Sequence, residues 1–263
     1  MLLAFFIVPV AFIAHASVHG KTGAFTFANY TSFLADPFNR TVVLRTLLVG
    51  IATTMVTLVL GYPLARAIAR GSAFTRWALS GLVFFPLLTS SVIRSFGWLV
   101  LLADNGLLNN LLAYVGLPRV HLIFNALGVI LALGQVLLPF MVLSLASALA
   151  NLDPAREDAA STLGSSPIRR FWRLTLPMLV PGILAGSLLV FAISISSFVT
   201  PALIGGARAE VMATMIYKNA TQVGNLGLAS SASLILLGIT LVVVTLYYRV
   251  VLSSPHHSGK AAP

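Results

Sequence analysis

No cysteine occurs among the 263 residues, and only six residues are acidic. The first absence excludes disulfides, thiolate metal sites and cysteine nucleophiles. The second leaves no plausible acid/base pair for an enzyme. No Ser/His/Asp or His/Glu cluster recurs with catalytic or metal-ligand spacing either. Charge of any sign is scarce: 8% of residues are charged against 58% hydrophobic, and the mean hydropathy is +0.98. A soluble domain of this length needs far more polar surface, so the soluble classes fall away. The net charge of +10 does not point to nucleic acid, because no basic run interleaves with aromatics in a polar segment. Basic residues in so apolar a chain mark loops and anionic headgroups.

What the chain does have is long apolar runs, each sufficient to cross roughly 30 Å of hydrocarbon as a helix. Six spans are expected, over residues 2–18, 41–68, 77–102, 122–149, 177–199 and 228–250. The first lacks a positive n-region and a small-x-small cleavage site, so it reads as a span and not a signal peptide. Connections 20–40, 103–121 and 201–227 are placed outside, and 69–76, 150–176 and the tail from Leu252 inside. Nine basic residues then lie inside, among them Arg66, Arg70, Arg76 and Arg173, against five outside, including Lys21, Arg119 and Lys218. The excess favours both termini inside. Gly182 and Gly186 form a small-xxx-small pair on the fifth span, which permits close helix approach. Gly20-Lys21-Thr22 ends like a phosphate-binding loop. However, His15 stands where that loop needs its first glycine, and no strand precedes it. His256 and His257 read as a solvated tail.

One inner connection, residues 150–176, is an island of charge and small side chains. Asp153 is a good N-cap with Pro154 at the first helical position, and Gly164 is a stop signal. Ala155, Ala159 and Leu163 recur at i, i+4, i+8 and make a narrow apolar face. Ser166-Pro167 repeats the start signal. Arg169, Arg170 and Arg173 then alternate with Phe171 and Trp172, a pattern suited to an interfacial helix. Pro177 opens the fifth span. From pattern alone the island is either a rigid handle gripped by a soluble partner or an amphipathic loop resting on the bilayer.

Asp158-Ala159-Ala160, three residues, Gly164, nine residues, then Leu174-x-Leu176-Pro177 resembles the EAA loop of permease subunits in ABC importers. That pattern has Glu at the first position and Ile at the residue matched by Leu174. Glu157 adjoins Asp158 and offers the acid one residue early. Asn105-Gly106-Leu107-Leu108-Asn109-Asn110, Leu138-Pro139-Phe140-Met141 and Ser197-Phe198-Val199-Thr200-Pro201 extend the resemblance to spermidine/putrescine-type permeases, the B-type subunit especially, from about residue 40 to 250. The resemblance implies an all-α membrane protein of the MetI-like ABC importer permease fold, with six transmembrane helices and both termini inside. It implies a first helix and outer loop over 1–40, a permease core over 41–250 with the coupling loop at 150–176, and a cytoplasmic tail over 251–263. Ala155, Glu157, Asp158, Ala159, Ala160, Leu163 and Gly164 would form the coupling helix seated in an ATPase groove. The partners implied are a second, related but different permease, two ATPase subunits and an extracytoplasmic solute-binding protein, all at a bacterial inner membrane with its lipid. The chain itself would bind no cofactor, since ATP and Mg are used by the ATPase.

Four further residues are candidates for the solute path. Arg94 is the strongly charged residue within the third span, about 25 Å above Trp77 at 1.5 Å per residue. It either anchors at the outer interface or contacts the solute path or receptor. Ser194, Ser197 and Thr200 give the outer end of the fifth span a polar side, which either lines a passage or hydrogen-bonds across helices. Many polyamine permeases carry an acid where this chain has Ser197, and the spans contain no Asp or Glu at all. A cationic solute would favour carboxylates, so this departure weakens the polyamine expectation, which still leads. The alternative function is an ion-gradient-driven secondary transporter, which usually relies on intramembrane acids or histidines.

Overall fold

The computed structural model describes residues 2–19, 24–153, 155, 162 and 164–253. Among these the chain is helical, apart from one isolated antiparallel bridge between His19 and Phe25. In chain order the helices are α1 (Leu2–Ser17), α2 (Ala28–Ala35), α3 (Pro37–Arg70), α4 (Ala73–Phe84), α5 (Ser91–Leu102), α6 (Leu107–Tyr114) and α7 (Ala126–Ala150). They continue with α8 (Pro167–Arg170), α9 (Leu176–Ser196), α10 (Met212–Thr221) and α11 (Leu226–Ser253). Starts are set by local chemistry. The Asp36 carboxylate accepts from the Phe38 N–H at 2.8 Å with Pro37 in the first turn. Ser72, Ser90 and Asn125 cap α4, α5 and α7 in the same way, each satisfying an amide that has no partner within its helix.

Helices α3, α7 and α9 pack against one another and carry the core. Ala65 of α3, Leu137, Met141 and Leu145 of α7, and Leu179 and Val190 of α9 are buried in one cluster. Small residues set the approach. A Cβ on Gly182 would stand 2.5 Å from Cβ of Ala148, and one on Gly186 would stand 2.8 Å from Sδ of Met141. The pair read from sequence as a close-approach motif thus seats α9 on α7. In hydrocarbon, where burial supplies little drive between helices, such close packing is what holds them together. A second cluster of Phe33, Val42, Met212, Met215 and Ala232 fastens α2, α3, α10 and α11, and α1 lies along α11.

Among the described residues, five helical runs are long and apolar enough to cross a membrane: 37–70, 91–114, 126–150, 167–196 and 226–247. The third expected span is not one helix. A 3-10 turn over Phe85–Leu88 and extended backbone at Thr89 separate α4 from α5. Pro86 withholds an N–H there, and the hydroxyls of Thr89 and Ser90 compete for backbone groups, so the helix stops and restarts. The interfacial piece expected before Pro177 is likewise not separate. Residues 167–196 form one run, in which Phe171–Thr175 is a π-helical turn and the Leu176 N–H reaches the Phe171 carbonyl. Pro177 has no N–H, and its ring would meet the Arg173 carbonyl of a regular α-helix. Widening the turn by one residue accommodates it. The connections expected outside also hold helices, α2, α6 and α10.

Candidate coupling loop and transport path

The loop between α7 and α9 is tied to the end of α3 at both of its own ends. Arg70, the last residue of α3, donates from Nη2 to the Leu152 carbonyl at 2.8 Å, and Leu152 is itself buried in the α3/α7/α9 core. On the far side the Phe171 ring meets Tyr62 of α3 edge-on, with centroids 5.1 Å apart. The Tyr62 hydroxyl accepts from Nη1 of Arg66 at 3.1 Å. Between these clasps, Oδ1 of Asp153 accepts from the Ala155 N–H at 2.9 Å, the cap expected from sequence. Ala155 and Thr162 are helical and exposed. Gly164 is exposed with φ of +74°, and among the described residues nothing lies within 4 Å of where a Cβ would be. Glu157, Asp158, Ala159, Ala160 and Leu163 lie outside the described residues.

Thr200 and the neighbour of Arg94 come together at the other end of the molecule. Ser95, one residue after Arg94, hydrogen-bonds Thr200 through their hydroxyls at 3.3 Å, and both are buried. Two interrupted helices meet there. Helix α5 restarts after Ser90, and α9 stops at Ser196, with Ser197 extended (φ −67°, ψ 130°) before the π turn Pro201–Gly205. Ser197 bonds back to the Ile193 carbonyl at 2.7 Å, so its hydroxyl serves the helix end. Ser194 is buried and its Oγ has no partner, as is Oγ1 of Thr53 on α3. Arg94 sits in the first turn of α5. Its Nε and Nη1 atoms are inaccessible and without a hydrogen-bond partner. One turn further along the same face, Nε1 of Trp98 donates to Oε1 of Gln135 on α7 at 3.3 Å.

Sequence reasoning missed Trp98, Gln135 and the Arg70 clasp. A signal existed for Gln135, a polar side chain in the middle of an apolar span. The Arg70–Leu152 bond joins residues 82 apart and has no local signature.

Residues 57–253 match the family model described as "Binding-protein-dependent transport system inner membrane component". The chain belongs to this family of permeases. It is 34% identical over 212 residues to the spermidine/putrescine transport system permease protein PotB of Escherichia coli K12, covering 80% of this chain and 77% of that one. To PotB of Haemophilus influenzae it is 32% identical over 245 residues, covering 92% and 85%. Its fold matches a solved structure of a bacterial alginate ABC transporter in complex with alginate pentasaccharide-bound periplasmic protein. There the TM-score is 0.78, with 21% identity, over 93% of this chain and 88% of that one.

The permease is therefore an all-α inner-membrane protein of the MetI-like ABC importer fold, as its sequence led one to expect. Permease subunits of this kind are not enzymes, and ATP hydrolysis falls to a separate subunit. The family implies ATPase and solute-binding protein partners and a second permease.

Proposed function

We propose that this permease forms half of the translocation pathway of a binding-protein-dependent importer, and that residues 150–176 couple ATP hydrolysis in a partner subunit to uptake of a small organic solute. The observation that carries the reading is the double clasp of that loop onto the inner end of α3, by Arg70 at Leu152 and by Tyr62 at Phe171. A loop held at both ends transmits displacement. An ATPase that shifted the segment from Ala155 to Gly164 would move α3 and α9 with it, because those helices are close-packed and deform little. The acid and alanines of the loop, Glu157, Asp158, Ala159 and Ala160, together with Leu163, are assigned to the face that enters the ATPase groove.

The six-crossing arrangement follows from the same reading. Helices α1, α3, α4 with α5, α7, α9 and α11 each cross once, with both termini inside and the core over residues 41–250. Two such chains enclose one path; the pair is assigned as two related but different permeases served by two ATPase subunits and one receptor. The solute is assigned to the polyamine class or a related small organic solute, on the strength of 34% identity to a spermidine/putrescine permease. Arg94, Ser194, Ser197 and Thr200 are assigned to the outer part of the path.

The test is reconstitution of the permease pair, ATPase subunits and receptor in proteoliposomes, with labelled putrescine and spermidine. Uptake is expected only with ATP inside and receptor outside. Uptake by the permease pair alone, down an imposed ion gradient, would falsify the importer reading in favour of a secondary transporter.

A further inference from the structure

The third crossing is broken at a depth where a lone membrane helix would be continuous. Helix α4 with its 3-10 turn ends at Leu88, and α5 begins at Ser91. The two pieces are about 26 Å and 18 Å long, each short of the roughly 30 Å of hydrocarbon. Together they make the single crossing proposed above, and the break then falls inside the membrane. Thr89 and Ser90 are extended there. Three successive carbonyls, those of Leu87, Leu88 and Thr89, accept no hydrogen bond from the described residues. The Thr89 hydroxyl donates to the Pro86 carbonyl at 2.8 Å, which leaves its oxygen free to accept. The chain does not fold over this stretch, for Leu88 is 85% exposed and Ser90 is exposed too.

Lipid cannot be what surrounds such a break. Hydrocarbon supplies no donor, and irregular backbone at membrane depth persists only buried in protein or against a water-filled space. This backbone is not buried in its own chain. It runs through three hydroxyl-bearing residues, Thr89, Ser90 and Ser91. One turn on, the Ser95–Thr200 bond joins it to the region assigned to the outer part of the path. Arg94 keeps Nε and Nη1 enclosed, so those two donors are not presented at the break. A single permease forms one wall of a path, and a lining of this kind therefore lies on an open face of the isolated chain.

We infer that residues 87–90 line the water-filled solute path near mid-membrane and offer their carbonyl oxygens to the ammonium groups of the passing solute. The inference rests on the assignment of this chain as half of a solute path. It supplies what the spans otherwise lack. They hold no Asp or Glu, and unwound backbone carbonyls are the other means by which a membrane protein meets a cation. The methylenes between two ammonium groups would lie against Leu88 and Phe85, both exposed beside the break.

The absence of cysteine makes the test direct. Leu88→Cys is placed in the assembled complex in nanodiscs, and Val59→Cys, exposed on the unbroken part of α3, sets the background. Labelling of this subunit by membrane-impermeant trimethylammonioethyl and sulfonatoethyl methanethiosulfonate is followed with and without ATP. In at least one nucleotide state Leu88→Cys is expected to react roughly tenfold or more faster than Val59→Cys, because the reactive thiolate forms only where water reaches it. Corrected for their rates on a free thiol, the cationic reagent is expected to outpace the anionic one at Leu88→Cys by roughly threefold or more, as carbonyl dipoles at close range demand. Background labelling in both nucleotide states overturns the inference. If labelling then appears on removal of the second permease, that subunit covers the break and the path does not. A rate ratio that favours the sulfonate reagent, or neither reagent, overturns the inference as well. If Leu88→Cys does not insert, Ser90→Cys is read against the same outcomes. Labelling does not depend on what drives transport. Uptake by the permease pair alone would therefore sink the importer reading and leave this result standing, whereas ATP-driven uptake with an unlabelled break would sink this inference by itself.

Discussion

Gly164 is the residue at which the two roles proposed for the loop between α7 and α9, its own folding and its fit to an ATPase, come apart. It ends the handle in the left-handed region, with φ of +74°, and a Cβ there would meet nothing within 4 Å among the described residues. The internal cost of a side chain is therefore backbone strain alone, about 1–2 kcal/mol for alanine. Asparagine and aspartate occupy this region more readily than alanine and cost less. If Gly164 serves only the turn, uptake in proteoliposomes should follow Gly, then Asn and Asp, then Ala. If an ATPase groove closes over the turn, size outside the chain decides, and the order becomes Gly, then Ala, then Asn and Asp. Insertion would be intact in all of them. The second order is expected, with Gly164→Asp and Gly164→Asn abolishing uptake and the bound ATPase retained or lost as its groove demands. Strain of about 1–2 kcal/mol changes an equilibrium roughly five- to thirtyfold, so a far larger loss in Gly164→Asn cannot come from the turn itself. Full uptake by Gly164→Asn together with a defect in Gly164→Ala would refute the coupling argument.

Arg70→Met removes the bond to the Leu152 carbonyl. A hydrogen bond from a charged group is worth about 1.5–3 kcal/mol, so solute moved per ATP should fall while the ATPase still binds; an unchanged ratio would disprove the clasp. Gly182→Val should lower the melting temperature of the permease, by overpacking against Ala148 at a cost of about 1–3 kcal/mol. Ala148→Gly should recover part of that loss, and no recovery would mean that the contact is not the limiting one. Asn109 is fully buried and bonds the Ala103 carbonyl and both backbone groups of Val120. Asn109→Ala leaves those groups unsatisfied at about 1–3 kcal/mol each and should raise protease cleavage between residues 103 and 121; resistance equal to the parent would count against that staple.

The sequence by itself determined the class, the main helices and the position of the charged loop between α7 and α9. Its reasons are local or compositional. Apolar runs in lipid leave the backbone no option but helix. The caps at Asp36 and Asp153 act within a few residues, and so does the stop at Gly164. Pro86 and Pro177 both stand in the sequence, but what each does is not legible there, because a proline in a membrane helix is tolerated or not according to what re-satisfies the freed groups. The structure decided that Pro86 ends a helix beside Thr89 and Ser90, whereas Pro177 only widens one at Phe171–Thr175. Likewise nothing local fixes the stretch of α5 that carries Arg94. Ser95 finds Thr200 105 residues away and Trp98 finds Gln135 37 residues away. The same is true of Arg70, whose partner stands 82 residues along the chain. Side-chain placement in this permease is set by which helices lie side by side, and that is fixed by the joint packing of α3, α7 and α9, which no single segment encodes.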